Sequence, residues 1–372
     1  MKQNKVLINT SNLHIGGGVQ VATSFLYELS LLTNLNFTPT VYLSTEVNEE
    51  LKRLGVNTNQ KNWMIYNTYG LKDFFKNKKL FSQFNIVFTI FGPNYFVNEH
   101  QKCITGFAQA WIIYPNNEIF KKLSITNKLK TRLKFFIQKA FFKLSNQLVG
   151  ELDHVKEQLV ELKIKNNNDI SIVRNCFSSI YLDPSKWQSF TIPSSASKIK
   201  LGIVTRDYPH KNISILPDVK KTLLDQYNID ADIYVTLNDN EWAARDQIFK
   251  ESIINVGALS MSQCPTFYQS LDGLIFPSLL ECFSATPLEA MVTETPVFAS
   301  DRRFVKDVCQ DFAYYFNPLD AKSVAKVIAD YFSIPAGERQ IQLELAKEYA
   351  INFSSAKERA EKYVSIIQSA LN

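Results

Sequence analysis

The chain lacks the features that mark several protein classes. No apolar run approaches the ~20 residues that a membrane-spanning helix requires, so a soluble or peripheral protein is expected. Five cysteines (Cys103, Cys176, Cys264, Cys282 and Cys309) lie far apart without a CxxC pair, which excludes a disulfide framework or a zinc site and fits a reducing cytoplasm. The four histidines (His14, His100, His154 and His210) show no metal-ligand spacing. The doublet Asp230-Ala231-Asp232 opens a predicted strand without the oxygen-rich surroundings that Mg²⁺ needs. No metal and no cofactor is therefore expected. Glycine is scarce too: in Gly16-Gly17-Gly18-Val19-Gln20-Val21, Val21 stands where a dinucleotide fingerprint requires glycine or alanine, so NAD-dependent hydride transfer is excluded. Behind the basic start Met1–Lys5 the apolar run is too short for a signal-peptide core and reads as a first strand.

What is present is alternation. The 372 residues, 45% hydrophobic and 21% charged, suit two globular domains. Short β-type runs (Val6–Ile8, Pro39–Leu43, Ile86–Ile90) alternate with helical patterns, and a second such set begins at Ile199–Val204. It continues through Ala231–Leu237, Ile253–Val256, Gly273–Phe276 and Pro296–Ala299. Repeated βαβ units imply an α/β fold with parallel sheets. The expected organisation is a Rossmann-like domain over 1–182, a polar, proline-bearing linker over 183–197 and a second Rossmann-like domain over 198–354. An amphipathic helix over 355–372 is expected to pack back on the first domain.

The strand Gly273–Phe276 runs into Pro277-Ser278-Leu279-Leu280-Glu281-Cys282-Phe283-Ser284-Ala285-Thr286-Pro287-Leu288-Glu289-Ala290-Met291. Thr286 suits an N-cap, Pro287 the first helical position, and Glu289 falls three after the cap. Spacing alone leaves Glu289 as half of a capping box or as a ligand carboxylate. The loop lies at the carboxyl end of a parallel strand, where open α/β sheets bind ligands. A strand is likewise followed by Arg206 and Lys211, two cations able to clamp one diphosphate or simply to be solvated. The turn Gly16, Gly17, Gly18 lets a ligand approach backbone.

Residues 121–150 hold eight cations and no acid. Leu129, Leu133, Phe136, Ile137, Ala140, Phe141 and Leu144 recur at helical spacing, with Phe135 and Phe142 beside the stripe. Two outcomes are open: the stripe packs on the core under a solvated basic face, or the helix meets an anionic membrane through Lys128, Arg132 and Lys139. Nucleic acid ranks last, since no binding module accompanies the charge.

The pattern Pro-Ser-x-x-Glu-x-Phe-x-x-x-Pro-Leu-Glu-Ala-Met, followed by Thr295-Pro296-Val297, resembles the signature of glycosyltransferase family 4, retaining enzymes of GT-B fold. The resemblance implies that Glu281 faces the donor hexose and Glu289 the nucleotide ribose. The backbone of Phe283, Ser284, Ala285 and Thr286 holds the diphosphate, while Arg206 and Lys211 neutralise it. It places Gly16, Gly17 and Gly18 in a loop facing donor and acceptor across a cleft, with Arg206, Lys211 and Glu281 as the catalytic set. The family often has glycine where Cys282 and Ser284 stand. A domain-one histidine of the family is replaced by Gln109, which with His14 is placed on the acceptor side. The implied reaction moves a hexose from a nucleoside diphosphate sugar, with UDP or GDP both open, to a lipid-linked or oligosaccharide acceptor in bacterial polysaccharide assembly. The expected location is cytoplasmic, peripheral on the inner face of the plasma membrane. The alternatives are a sugar-nucleotide epimerase of the same fold and a non-catalytic glycan- or nucleotide-binding member.

Overall fold

A computed structural model describes residues 5–33, 35–96, 98–193 and 199–371. The chain forms two compact units. Unit 1 comprises Met1–Pro115, Leu123–Asn175 and Ala356–Asn372, and unit 2 comprises Asn116–Lys122 and Cys176–Ser355.

Unit 1 is built on seven strands: β1 (Val6–Thr10), β2 (Pro39–Leu43), β3 (Trp63–Ile65), β4 (Ile86–Thr89), β5 (Lys102–Gly106), β6 (Gln147–Gly150) and β7 (Ile170–Ile172). Their order is β3-β2-β1-β4-β5-β6-β7, all paired in parallel. β1 and β4 are buried along their whole length because helices cover both faces, so they read as continuous apolar runs rather than alternating ones. Gly106 is required at the end of β5, since a Cβ there would lie 1.7 Å from the carbonyl oxygen of Ile90. The terminal helix Ala356–Leu371 packs on the helix Gly17–Leu31, and Tyr363 meets Phe25 edge-on at 5.2 Å. Arg359, 2% exposed, bonds the side-chain oxygen of Asn175, whose amide donates to Glu151 at 2.8 Å.

Unit 2 has six strands: β8 (Ile199–Ile203), β9 (Ala231–Val235), β10 (Ile254–Asn255), β11 (Gly273–Phe276), β12 (Val297–Ser300) and β13 (Tyr314–Phe316). They run parallel in the order β10-β9-β8-β11-β12-β13.

The chain passes from unit 1 to unit 2 at Asn175–Cys176, ahead of the segment expected as a linker. The described part of that segment, 183–193, belongs to unit 2, and residues 194–197 lie outside the described residues. Side-chain anchoring explains the difference. Phe177 and Tyr181 are buried, Trp187 donates its indole N–H to Ile180 at 2.7 Å, and the Tyr234 hydroxyl donates to the Pro193 carbonyl. The excursion Asn116–Lys122 joins unit 2 through Glu118, which accepts from Arg302 at 2.8 Å.

Candidate active site

Unit 2 reverses its strand order between β8 and β11: from β8 the chain steps outward to β9 and β10, from β11 the other way to β12 and β13. The carboxyl ends of two strands that part like this leave a crevice, the usual ligand position in open α/β sheets. The loops after β8 and β11 meet there. Pro209 opens a short 3₁₀ turn ending at Lys211, and Asn212 follows in the left-handed region (φ 53°), which asparagine tolerates better than most residues. Asn212 anchors the turn by donating to the Pro318 carbonyl at 2.7 Å, and the Leu279 amide donates to the His210 carbonyl at 2.7 Å.

Held in this way, the Lys211 ammonium donates to Glu281 Oε1 at 2.8 Å. The side chains are only 15% and 11% exposed, so this is a largely desolvated pair and not a surface ion pair. The ammonium also lies 5.4 Å from the centre of the Phe276 ring. His210, stacked on Tyr208, is partly buried, and desolvation lowers its pKa while the Glu281 charge opposes the shift.

Arg206 is engaged away from the Lys211–Glu281 pair. Its guanidinium, 45% exposed, donates to Glu241 Oε1 at 2.8 Å. Glu241 closes a capping box with Asn238 on the helix Asp239–Ala243, just past the end of β9. It also accepts from the Asp207 amide at 3.2 Å, and Asp207 in turn pairs with Arg245. The cations after β8 are thus divided, one committed to the β11 loop and one to the β9 loop. Neither Glu241 nor Arg245 stood out in the sequence. Asn238-x-x-Glu241 after a strand was the readable signal for the first, and Arg245 offered none.

Glu289 corrects the capping-box alternative. The helix spans Thr286–Val292 and is capped by Ala285, which has no side-chain acceptor, so Thr286 is inside the helix instead of capping it. The Glu289 carboxylate accepts from the Tyr268 hydroxyl at 3.2 Å. Desolvation pushes its pKa up to about 7, against hydrogen bonds from Tyr268 and Tyr181 and the charge of Lys211, which all favour the ionised form. Tyr181 and Tyr268, 6.3 Å apart between ring centres, had no motif to reveal them. Between the glutamates, Cys282 and Ser284 are buried, and Phe283 packs toward Phe353 with 6.3 Å between ring centres. The chain at Phe283–Thr286 leads into the helix start, whose first amides have no partner within the helix.

In unit 1 the order reverses between β1 and β4. Gly16, with φ +66°, caps the helix that begins at Gly17, and a Cβ at Gly16 or Gly17 would meet nothing within 4 Å. Asn12 bridges the two loops by donating to the Phe91 carbonyl at 2.8 Å. His14 is engaged on both ring nitrogens, with Glu46 Oε2 at 2.9 Å and the Thr68 carbonyl at 3.0 Å, and it stacks on Tyr69. Gln109, partly buried, caps the short helix Ala110–Ile113 beyond β5, two strands from β1. Asp232 pairs with Lys220 at 3.6 Å, and among the described residues no three His, Cys, Asp or Glu side chains gather as a ligand set.

The helix Ile125–Leu144 does not bury its whole apolar stripe on the core. Of its residues only Phe142 is buried, whereas Leu129, Leu133 and Phe136 of the apolar stripe are exposed. Phe142 packs at 4.7 Å on Phe107, Phe135 stacks at 5.7 Å on Trp111, and Phe141 of the stripe itself meets Tyr95 edge-on at 4.8 Å, so these three aromatics set the side that touches unit 1. Lys128 and Lys139 are partly buried and Arg132 is exposed. No described helix is long and apolar enough to cross a membrane.

Residues 188–350 match the family described as Glycosyl transferases group 1. A curated relative, the O-antigen chain mannosyltransferase RfbU of Salmonella typhimurium, is 26% identical over 215 residues, 54% of this chain and 57% of that protein. The match thus spans little more than half of the relative's length. Among solved structures, a glycosyltransferase from Rickettsia africae superposes with a TM-score of 0.73 at 17% identity, covering 100% of both chains. HepE of Anabaena in complex with UDP-glucose gives 0.70 at 11% identity, covering 98% of this chain and 99% of that one. At such identities the likeness speaks for the fold. Residues 188–350 are therefore similar to the glycosyl transferases group 1 family, and the two-sheet α/β architecture is the GT-B fold.

Proposed function

We propose that this chain transfers a hexose from a nucleoside diphosphate sugar to a hydroxyl of a lipid-linked glycan, with retention at the anomeric carbon. The observation that carries the reading is the Lys211–Glu281 contact at the strand-order reversal of unit 2. A carboxylate there accepts from sugar hydroxyls, and an ammonium, with three donors of which one serves Glu281, takes phosphate oxygens.

In the step proposed, the acceptor oxygen bonds to the anomeric carbon as the bond from that carbon to the diphosphate oxygen breaks. The bonding pair stays on the diphosphate oxygen, which also receives the acceptor proton. Negative charge thus grows on the leaving group, and Lys211, Arg206 and the amides of Phe283–Thr286 stabilise it more in the transition state than in the ground state. Fixed cations supply this stabilisation, so the reading calls for no metal ion. Glu281 orients the hexose, and Glu289, ionised, accepts from the ribose hydroxyls. Gly16, Gly17 and Gly18 admit a diphosphate close to backbone, and the loops bearing His14 and Gln109 take the acceptor. The mannosyltransferase relative and the UDP-glucose complex of a structural neighbour support a nucleotide sugar and a polysaccharide product.

Thermal unfolding with UDP-glucose, GDP-mannose and related donors tests this, because a true donor raises Tm by binding only the folded state. Product analysis with a lipid-linked oligosaccharide should then show a new glycosidic bond. No shift with any donor, or an altered nucleotide sugar without a new bond, overturns the reading.

A further inference from the structure

The helix Ile125–Leu144 is fastened to unit 1 through Phe135, Phe141 and Phe142, and a different side of it is open. On that side Ile125, Leu129, Leu133, Phe136 and Leu144 are 79%, 62%, 61%, 71% and 58% exposed. At the helical turn of about 100° per residue they fall within an arc roughly 100° wide. The same turn sets Lys128, Arg132 and Lys139 along one margin of the stripe and Lys130 and Lys134 along the other. No acid occurs in the sequence from 121 to 150.

Scattered exposed leucines are ordinary, but a continuous apolar stripe at this spacing is not. A partner must cover the apolar centre and meet positive charge on both of its flanks. A membrane surface does both at once, since the stripe reaches the acyl chains while the two rows of cations lie among anionic headgroups. A solvated basic face explains the lysines but not the stripe, and core packing explains neither.

We propose that this helix lies in the interface of an anionic lipid bilayer, with Leu129, Leu133 and Phe136 inserted among the acyl chains. The proposal rests on this helix alone and stands whether or not the chain is a transferase.

The test uses the full chain with vesicles of phosphatidylcholine alone or mixed with phosphatidylglycerol. Sedimentation should show binding to the mixed vesicles that weakens about fivefold for each of Lys130→Ala and Lys134→Ala. The pair Leu133→Ser/Phe136→Ser should weaken it at least about tenfold while keeping the wild-type Tm, because both positions are exposed. A Phe136→Trp reporter should shift its emission to the blue on mixed vesicles and be quenched by brominated acyl chains. Absence of binding to phosphatidylglycerol vesicles overturns the proposal, as does a serine pair that binds like wild type. Conversion of a dimer to a monomer by the serine pair in ultracentrifugation also overturns it, since the stripe then belongs to a second copy.

Discussion

Both units reverse their strand order between their first and fourth strands, yet they equip the resulting crevice differently. In unit 2 the two loops are joined by Lys211 and Glu281, opposite charges withdrawn from water. In unit 1 the loops after β1 and β4 are joined by the neutral amide of Asn12 on a backbone carbonyl. A side-chain contact nearby, His14 with Glu46 at 2.9 Å, instead links the loop after β1 to the helix Thr45–Arg53 after β2. Topology fixes where a ligand goes, and side chains decide what it meets: a preset field in unit 2, open backbone in unit 1. Deletion of charge should therefore be severe in unit 2, and changes of shape should dominate in unit 1.

The largest expected effect is at the ion pair. Lys211→Ala and Glu281→Ala should each lower kcat by roughly 10²–10³-fold, the usual scale for removing one preorganised charge partner. Their double variant should fall short of the product of the two, because each single change already disables the pair. Wild-type transfer rates in both variants would remove the basis for separating the two units. Next comes Arg206→Ala, at about tenfold in kcat/KM. Its guanidinium is nearly half exposed and must be shared with Glu241, so part of its field is already spent on the protein and screened by water. Rates measured against ionic strength should show Arg206 more sensitive to salt than Lys211.

A smaller effect, visible only with pH, is expected at Glu289. Its pKa in the fold, about 7, is above the ordinary carboxylate value of 4.5, so the folded state holds the proton more tightly than the unfolded state. Stability from this group is complete below pH 4.5, declines as pH rises to about 7, and is flat beyond. The difference between wild type and Glu289→Gln should grow over that window by roughly 3 kcal/mol, followed by denaturant unfolding at several pH values. Donor affinity should move the opposite way in wild type, rising through about pH 7 as the carboxylate ionises to accept the ribose, and stay level in the variant. A level wild-type profile would detach Glu289 from the ribose.

These contrasts were unevenly legible in the sequence. The parallel sheets were readable because strands buried on both faces are short apolar runs, and β8, β9 and β11 stand within the predicted ones. Lys211 and Glu281 could be singled out because each follows such a strand, and the family resemblance then assigned their roles. Their contact was not readable, since the two residues stand 70 positions apart and meet only because β8 and β11 are neighbours. Glu289 shows the limit of local pattern: Thr286-Pro287-Leu288-Glu289 fits a capping box, but the helix starts after Ala285 and Tyr268 takes the carboxylate. The basic helix shows the same limit, because periodicity reveals a stripe without saying which side faces the core. There the bulk of Phe135, Phe141 and Phe142, meeting Trp111, Tyr95 and Phe107, decided the orientation.

The smallest effects separate two uses of glycine in unit 1. Gly16 adopts φ +66° with ψ −147°, a conformation open to glycine almost alone, so Gly16→Ala should cost about 1–2 kcal/mol through strain. Gly17 is the first residue of the helix, and an added Cβ there meets nothing within 4 Å. Gly17→Ala should therefore raise stability by roughly 0.5–1 kcal/mol, as alanine has less backbone freedom to lose. Open space around Gly17 is also what a diphosphate close to the backbone would occupy. If unit 1 acts on the donor through bare backbone, Gly17→Ala will raise Tm and the donor KM together, a combination that strain does not produce. An unchanged KM in the more stable variant would confine these glycines to shaping the turn, leaving unit 2 alone to hold the donor.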